Sequence, residues 1–458
     1  NDVIQVVQGT YTGNFTYTAS ESTVLVLQGG FTAGCADWVD DPTKTILDGG
    51  GTGRTLELDN TTDTGIASGN IKVVGFTIRN GSNTNYGGGL YVQSRNDSAS
   101  GTMNSGSITV SKNIIVQNAA NNSGGGLYAL SMSLNGTSGD VTVSNNIIAE
   151  NTVTNNYAGG AWVESSSDNG SAGSIKFVNN TVTGNSANSN SGGVYFYTIG
   201  TSGGVVNVYS NIIRENTALT GDDIEVQAMT SNSYNNNYHV LGGTWTNSGG
   251  NIDLDPKFAG SGNYHLLSTS PCIDTGNNGV VTEDSDIYGN ERTLDGNNNG
   301  TATVDMGADE YNPAAGNIDF NNDNRSDILW RNTSTGKNLM WFMDGAERVT
   351  YEYLADQTNQ AWKIVGTGDF NSNGKSDILW RNTSTGQNVV WYMNGAVKTG
   401  YAYLKDATDT NWTIVGTGDF NSDGKTDILW RNTSTGKNLL WYMNGAVRTS
   451  YVYLRDVT

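Results

Sequence analysis

Along most of the chain the apolar residues come in short alternating runs, rich in Val, Ile, Tyr and Phe, with Gly/Asn/Ser clusters between them. Period-two alternation reads as strand, and no segment carries the 3.6-residue period of a long helix, so the pattern predicts an all-β protein. From residue 71 one phrase recurs, at 71–80, 108–118, 141–151, 175–185 and 205–216. Each copy leads through a short step, glycine-rich in the first four, into a second short strand: Leu90-Tyr91-Val92, Leu127-Tyr128-Ala129, Ala161-Trp162-Val163, Val194-Tyr195-Phe196 and Ile224-Glu225-Val226. Such a unit cannot bury its apolar side alone. Successive units must therefore stack as coils of a solenoid, with parallel strands about 4.8 Å apart.

Stacking turns sequence positions into columns. Asn113, Asn146, Asn180 and Asn211 fall in one, and Asn80, Asn118, Asn151, Asn185 and Asn216 in another. An Asn amide both donates and accepts, and Asn tolerates left-handed backbone, so these columns read as structural ladders at coil corners. The phrases Gly75-Phe76-Thr77-Ile78-Arg79-Asn80 and 145–151, with the closing Ser270-Pro271-Cys272-Ile273-Asp274-Thr275-Gly276 and Val304-Asp305-Met306-Gly307-Ala308-Asp309-Glu310-Tyr311, resemble the secreted bacterial group of pectin-lyase-like right-handed parallel β-helix proteins. The resemblance covers residues 1–312 and implies a fold. It implies no single activity, since the group holds lyases, hydrolases, adhesins and other proteins.

A lyase of this fold needs a cationic base beside calcium or a second cation, because the proton it removes lies next to a carboxylate. The coil supplies Lys72, Arg79, Lys112, Lys176 and Arg214, which do not gather in the column alignment; Arg79 is expected to stack with Gln117, Glu150, Gly184 and Glu215 on a solvated face. A hydrolase needs clustered aspartates with a His-bearing motif, and the only histidines, His239 and His265, sit in none. Asp222-Asp223 with Glu225 is the one local acidic cluster, and a solvated coil edge is its plainer reading. Tyr91, Tyr128, Trp162 and Tyr195 should face outward, since strand side chains alternate. In a column they form an aromatic stripe for sugar rings or a partner surface, unless the loops that follow each strand bury it.

Residues 316–458 carry a second repeat of fifty residues. Its loops read Asp319-x-Asn321-x-Asp323-x-Arg325-x-Asp327, Asp369-x-Asn371-x-Asn373-x-Lys375-x-Asp377 and Asp419-x-Asn421-x-Asp423-x-Lys425-x-Asp427. Side-chain oxygens at positions 1, 3, 5 and 9, a backbone carbonyl at 7 and Gly or Asn at 6 suit a hard cation, Ca2+. No bidentate Glu stands at position 12 and strands flank the loop, so this is not an EF-hand. It resembles the integrin-type FG-GAP or VCBS calcium repeat. Asn324 in place of Gly, and Asn373 in place of Asp, should weaken the first two sites. Each period holds about four short strands, one propeller blade, and the eight Trp of this part are expected in blade cores. The strand opening Trp362-Lys363-Ile364-Val365 recurs at 412–415 but not before the first repeat or after Leu454. Either the natural chain continues, or open edges pair with something else, such as a second copy.

Composition sharpens this picture. Of the net charge of −20, residues 1–315 carry −19, where ten Lys and Arg face twenty-nine Asp and Glu, whereas residues 316–458 hold fourteen against fifteen. Such acidity argues against nucleic acid and anionic surfaces as partners unless divalent cations intervene. No apolar run is long enough for a membrane span, and the start at Asn1 is read as a processed, exported form. Cys35 and Cys272 are the only cysteines, and a disulfide or two separate thiols both remain open. The expected architecture is a right-handed parallel β-helix over 1–312, a linker at 313–317 and three propeller-blade-like calcium repeats over 318–458. The expected role is a secreted or cell-surface structural or adhesive protein that self-associates through its C-terminal repeats. The alternative is a calcium-dependent polysaccharide lyase or glycoside hydrolase, for which release of unsaturated uronate is the direct assay.

Overall fold

A computed structural model describes the whole chain except residues 1, 64, 84, 100, 222, 261, 298, 312–317, 322–324, 345–346, 372–374, 422–424 and 455–458. It is all-β; among the described residues the only helical pieces are three 3-10 turns of three residues each. The chain divides into two compact units, Asn1–Lys257 with Ser270–Tyr311, and Phe258–Thr269 with Asn312–Thr458.

The first unit is a parallel β-solenoid. Each coil contributes one strand to each of three sheets of nine, eight and seven strands, and some coils add a short strand to a four-stranded corner sheet. One coil runs Ile108–Ser111, Ile114–Val116, Ala119–Ala120 and Leu127–Ser133, and the next runs Val141–Ser144, Ile147–Ala149, Thr152–Val153 and Ala161–Ser167, in parallel register with it. Inward columns carry the core: Ile71, Ile108, Val141 and Ile175 on one sheet, Ile78, Ile115, Ile148 and Val182 on the second, Leu90, Leu127, Ala161 and Val194 on the third, all nearly or fully buried. Each large aliphatic among them contributes roughly 1.5–3 kcal/mol by leaving water. The coils begin earlier than the clear repeat does, since Asp2–Val7 pairs with Leu25–Phe31, which pairs with Ile71–Val74.

Coils turn where one residue takes left-handed backbone. Gly75 leads a column of such residues with Lys112, Asn145, Asn179, Ser210 and Asn235, at φ between 53° and 57° after the glycine. The Asn ladder stands one residue later: Asn113 Nδ2 donates to Asn146 Oδ1 at 3.2 Å, Asn146 to Asn180 at 3.0 Å, Asn180 to Asn211 at 3.1 Å, and the series continues through Asn236 to Asn251. The second ladder runs Asn118, Asn151, Asn185, Asn216 and ends on the Asp223 carboxylate.

Two column assignments need correction by one residue. Ile78 pairs with Ile115 and Arg79 with Val116, so Asn80 lies beside Gln117 in the left-handed column while Gly81 occupies the ladder position. Arg79 accordingly shares a column with Val116, Ala149, Thr183 and Arg214.

In the second unit, Ile328–Arg331, Asn338–Asp344 and Glu347–Leu354 form the first blade, an antiparallel sheet of three strands among the described residues. The second blade has four, Trp362–Gly368, Asp377–Asn382, Asn388–Asn394 and Val397–Leu404, and the third repeats them from Trp412–Gly418 to Val447–Tyr453. Residues 312–318 read Asn-Pro-Ala-Ala-Gly-Asn-Ile where the later repeats place the Trp-x-Ile-Val strand. The apolar clusters lie between blades rather than within them. One joins Phe320 and Met340 of the first repeat to Ile378, Trp380 and Trp391 of the second, and the other joins Phe370 and Leu379 to Ile428, Trp430 and Trp441.

Candidate functional sites

The aromatic stripe is present and ordered. Outward positions of the third sheet align Tyr91, Tyr128, Trp162 and Tyr195. Their rings stack nearly parallel, 5.4, 6.1 and 4.5 Å between centroids and 5°, 9° and 2° between planes. Arg54 lies over Tyr91 at 4.1 Å, and Glu57 and Glu225 flank the column in register. Two further tyrosines lean on the stripe, each from the corner that precedes a strand: Tyr86 on Tyr128, and Tyr157 on Trp162 and Tyr195. Tyr128 is therefore buried, whereas Tyr91, Trp162 and Tyr195 are half-buried.

A second row supports the rings. Tyr91 Oη donates to Gln93 Oε1 at 2.6 Å, and Trp162 Nε1 donates to Glu164 Oε2 at 2.9 Å. Burial pushes the Glu164 carboxyl above the usual range and the Tyr91 hydroxyl up to about 12. The stripe thus presents the edges of rings whose faces are turned to one another, with carboxylate and amide oxygens beside them that can accept from hydroxyls.

The coil cations are dispersed. Arg79 pairs with Asp48 at 2.8 Å, Arg214 pairs with Asp253, and Lys112, almost fully buried, binds Asp40 and Ser285. Arg79 and Arg214 share a column but stand four coils apart, roughly 19 Å at strand spacing. Asp223 closes the Asn ladder, and its second oxygen accepts from the backbone N–H groups of His239 and Val240 at 2.7 and 3.1 Å. The acidic cluster at 222–225 therefore has a structural use, with residue 222 outside the described residues. His239 faces Asp253 at 3.0 Å. Cys35 and Cys272 are separate thiols; burial pushes that of Cys272 up to about 11.

The repeat loops share one construction. Position 9 is buried in all three, and its carboxylate spans two backbone donors: Asp327 accepts from Phe320 N and Met343 N at 2.9 and 3.1 Å, Asp377 from Phe370 N and Met393 N at 3.0 and 2.9 Å, Asp427 from Phe420 N and Met443 N at 3.2 and 2.8 Å. This aspartate ties the loop start to a strand sixteen residues later. At position 1, Asp369 and Asp419 accept from Asn371 N and Asn421 N at 3.2 and 3.3 Å. Burial, with nearby Asp369 adding to it, raises the Asp377 carboxyl to about 7. Fifth-position Asp323, Asn373 and Asp423 lie outside the described residues. Oxygen donors of this kind suit a hard divalent cation, which positions 1, 3 and 9 and the carbonyls of Arg325, Lys375 and Lys425 would hold, although no group of three or more acidic, His or Cys side chains gathers among the described residues.

Sequence reasoning missed a buried acidic network near the end of the solenoid unit. Asp286, Asp305, Asp309 and Glu310 are all buried around Arg292, whose guanidinium donates to the carbonyls of Ala308 and Gly307. Asp305 accepts from Asp274 N and Tyr311 N, and Glu310 from Leu294 N and Asp305 N. Its only sequence signal is the density of acids at 305–310.

Family comparison identifies the described FG-GAP-like repeat at residues 319–380 and 369–430 and an FG-GAP repeat at 411–454, all within the three-blade segment. FG-GAP repeats often bind calcium and are typical of extracellular or surface proteins. No curated protein and no solved structure matches the chain. No helix among the described residues is long and apolar enough to cross a membrane.

Proposed function

We propose that this chain is an extracellular structural or adhesive protein whose blade unit is stabilised by Ca2+ and whose solenoid presents the aromatic stripe to a polysaccharide. The observation that carries the reading is the threefold acidic loop, in register within repeats similar to FG-GAP, on a chain whose remainder is a coil with a continuous aromatic face. The stripe supplies the contact surface. Trp162 and Tyr195, both half-buried, are its most closely stacked pair.

Co-sedimentation of the full chain with insoluble neutral and uronate polysaccharides, in calcium and then in chelator, tests this. Binding in calcium should fall at least tenfold in a chain carrying Trp162→Ala and Tyr195→Ala whose melting resembles the parent's. Equal binding by parent and variant would remove the stripe from the proposal, and a melting curve of the blade unit indifferent to chelator would remove the calcium.

A further inference from the structure

We infer that the last strands of the second and third blades bind an acidic polysaccharide whose carboxylates are spaced by neutral sugars, at a site separate from the solenoid stripe. Each strand would take a sugar ring on an exposed tyrosine and a carboxylate on the cation beside it. Residues 397–404 and 447–454 are written alike, with a cation at the second position and tyrosines at the fifth and seventh.

In an unbroken strand, positions two and five point to opposite sides. Here the register shifts opposite Tyr392/Met393 and again opposite Tyr442/Met443, and such a bulge re-aims the side chain next to it. Lys398 Nζ consequently lies 4.0 Å from the centre of the Trp391 ring and 4.9 Å from that of Tyr401, and the Arg448 guanidinium lies 4.8 Å from Trp441 and 4.9 Å from Tyr451. A cation held against two rings has a fixed place. Burial keeps the Lys398 ammonium below the usual lysine range. The outer tyrosines, Tyr403 and Tyr453, meet Tyr401 and Tyr451 edge to face, at 5.8 and 6.1 Å, so the pairs do not cover their own ring faces as stacked rings would.

Tyr401 and Tyr403 are 59% and 60% exposed, and Tyr451 and Tyr453 54% and 57%. Tyr401 and Tyr451 pair with the buried Trp391 and Trp441, whose side of the sheet packs on the preceding blade. The second blade has a blade on either side, so the exposure comes from the strand's outer place in its sheet. Lys398 is the only charged residue of its strand and of 388–394, with which it pairs, and Arg448 stands likewise against 438–444. The first blade differs: Glu347 and Glu352 share the strand of Arg348, and Asp344 pairs with Glu347. An uncompensated cation among exposed rings is complemented by an anion with an apolar face, and a uronate has both. One such cation per blade, in a segment of fourteen basic and fifteen acidic residues, is not the continuous positive track that a nucleic acid backbone requires, and it matches carboxylates set apart along a glycan. Two like sites on one unit add avidity.

Affinity electrophoresis in calcium tests this, through gels holding xanthan, whose uronates are spaced by neutral rings, the same polymer after carboxyl reduction, or oligothymidylate. The full chain is used with Trp162→Ala and Tyr195→Ala already in place, so that failure here leaves the reading of the solenoid stripe untouched. Xanthan should bind at least fivefold more tightly than its reduced form. Lys398→Gln with Arg448→Gln should lower xanthan binding at least tenfold and leave the reduced polymer unaffected, whereas Arg348→Gln should change either by less than twofold. Tyr403→Ala with Tyr453→Ala should lower both, and Tyr403→Phe with Tyr453→Phe, which keeps the rings and guards against a folding defect, should restore them. Equal binding of xanthan and its reduced form, binding indifferent to the Gln pair, or tighter binding of oligothymidylate would each overturn the inference.

Discussion

The buried carboxyls of the solenoid unit make the sharpest residue-scale expectation. Asp286 is raised to about 6, Asp305 to about 8 and Glu310 to about 9, in each case first by burial and then by neighbouring acids, with Arg292 acting the other way. Acids whose folded pKa lies above the unfolded value near 4 bind protons more tightly when folded. Their contribution is complete below about pH 4 and is lost as pH rises through 6 to 9. The melting temperature of the solenoid unit should therefore fall between pH 6 and 9, and Glu310→Gln should flatten that slope; a slope unchanged in the variant would refute the assignment. At the stripe, Tyr128 is buried beneath Tyr86, so Tyr128→Ala should destabilise the coil by about 3 kcal/mol, against much less for Tyr195→Ala, as measured by urea denaturation.

At the scale of strands and ladders, Asn146 is the test case. Its amide donates to Val110 O, Ser144 O and Asn180 Oδ1, while its oxygen accepts from Asn113 N and Nδ2. Asn146→Ala strands several of these in a dry interior at about 1–3 kcal/mol per unsatisfied group. It should lower the melting of the coil sharply, whereas Asn155→Ala, on an exposed corner, should not. The ladders were legible in the sequence because coils 71–226 repeat every 31 to 37 residues. The earlier coils were not, because Leu25 pairs with Ile71 across an insertion that breaks the spacing. Asn80 misled for a local reason: it stands at the left-handed corner position, and Gly81 beside it, which takes the ladder position, has no side chain to mark it. In the blades the fifty-residue loops were plain, but the double grip of Asp327, Asp377 and Asp427 was not. Its second donor comes from a strand sixteen residues onward, which no local motif reveals.

For the whole molecule, the two units should respond differently to metal. A cation that binds only the folded blades adds RT ln(1 + [Ca]/Kd), about 2.7 kcal/mol at a hundredfold excess. Calorimetry of the full chain should therefore show chelator lowering one transition and leaving the other in place; a common shift of both would contradict loop binding confined to the repeats. The parallel stacking has a mechanical consequence as well. Every coil is fastened to its neighbours by rungs perpendicular to the chain, and each rung column ends at a coil that has a neighbour on one side only. Tension applied at a terminus loads the outermost rungs first, so the solenoid should yield coil by coil from its end. Each of the central coils, some 33 residues from Ile108 to Val141, should release on the order of 110 Å of slack per event. Under load, this half of the protein is a shock absorber with evenly graded steps.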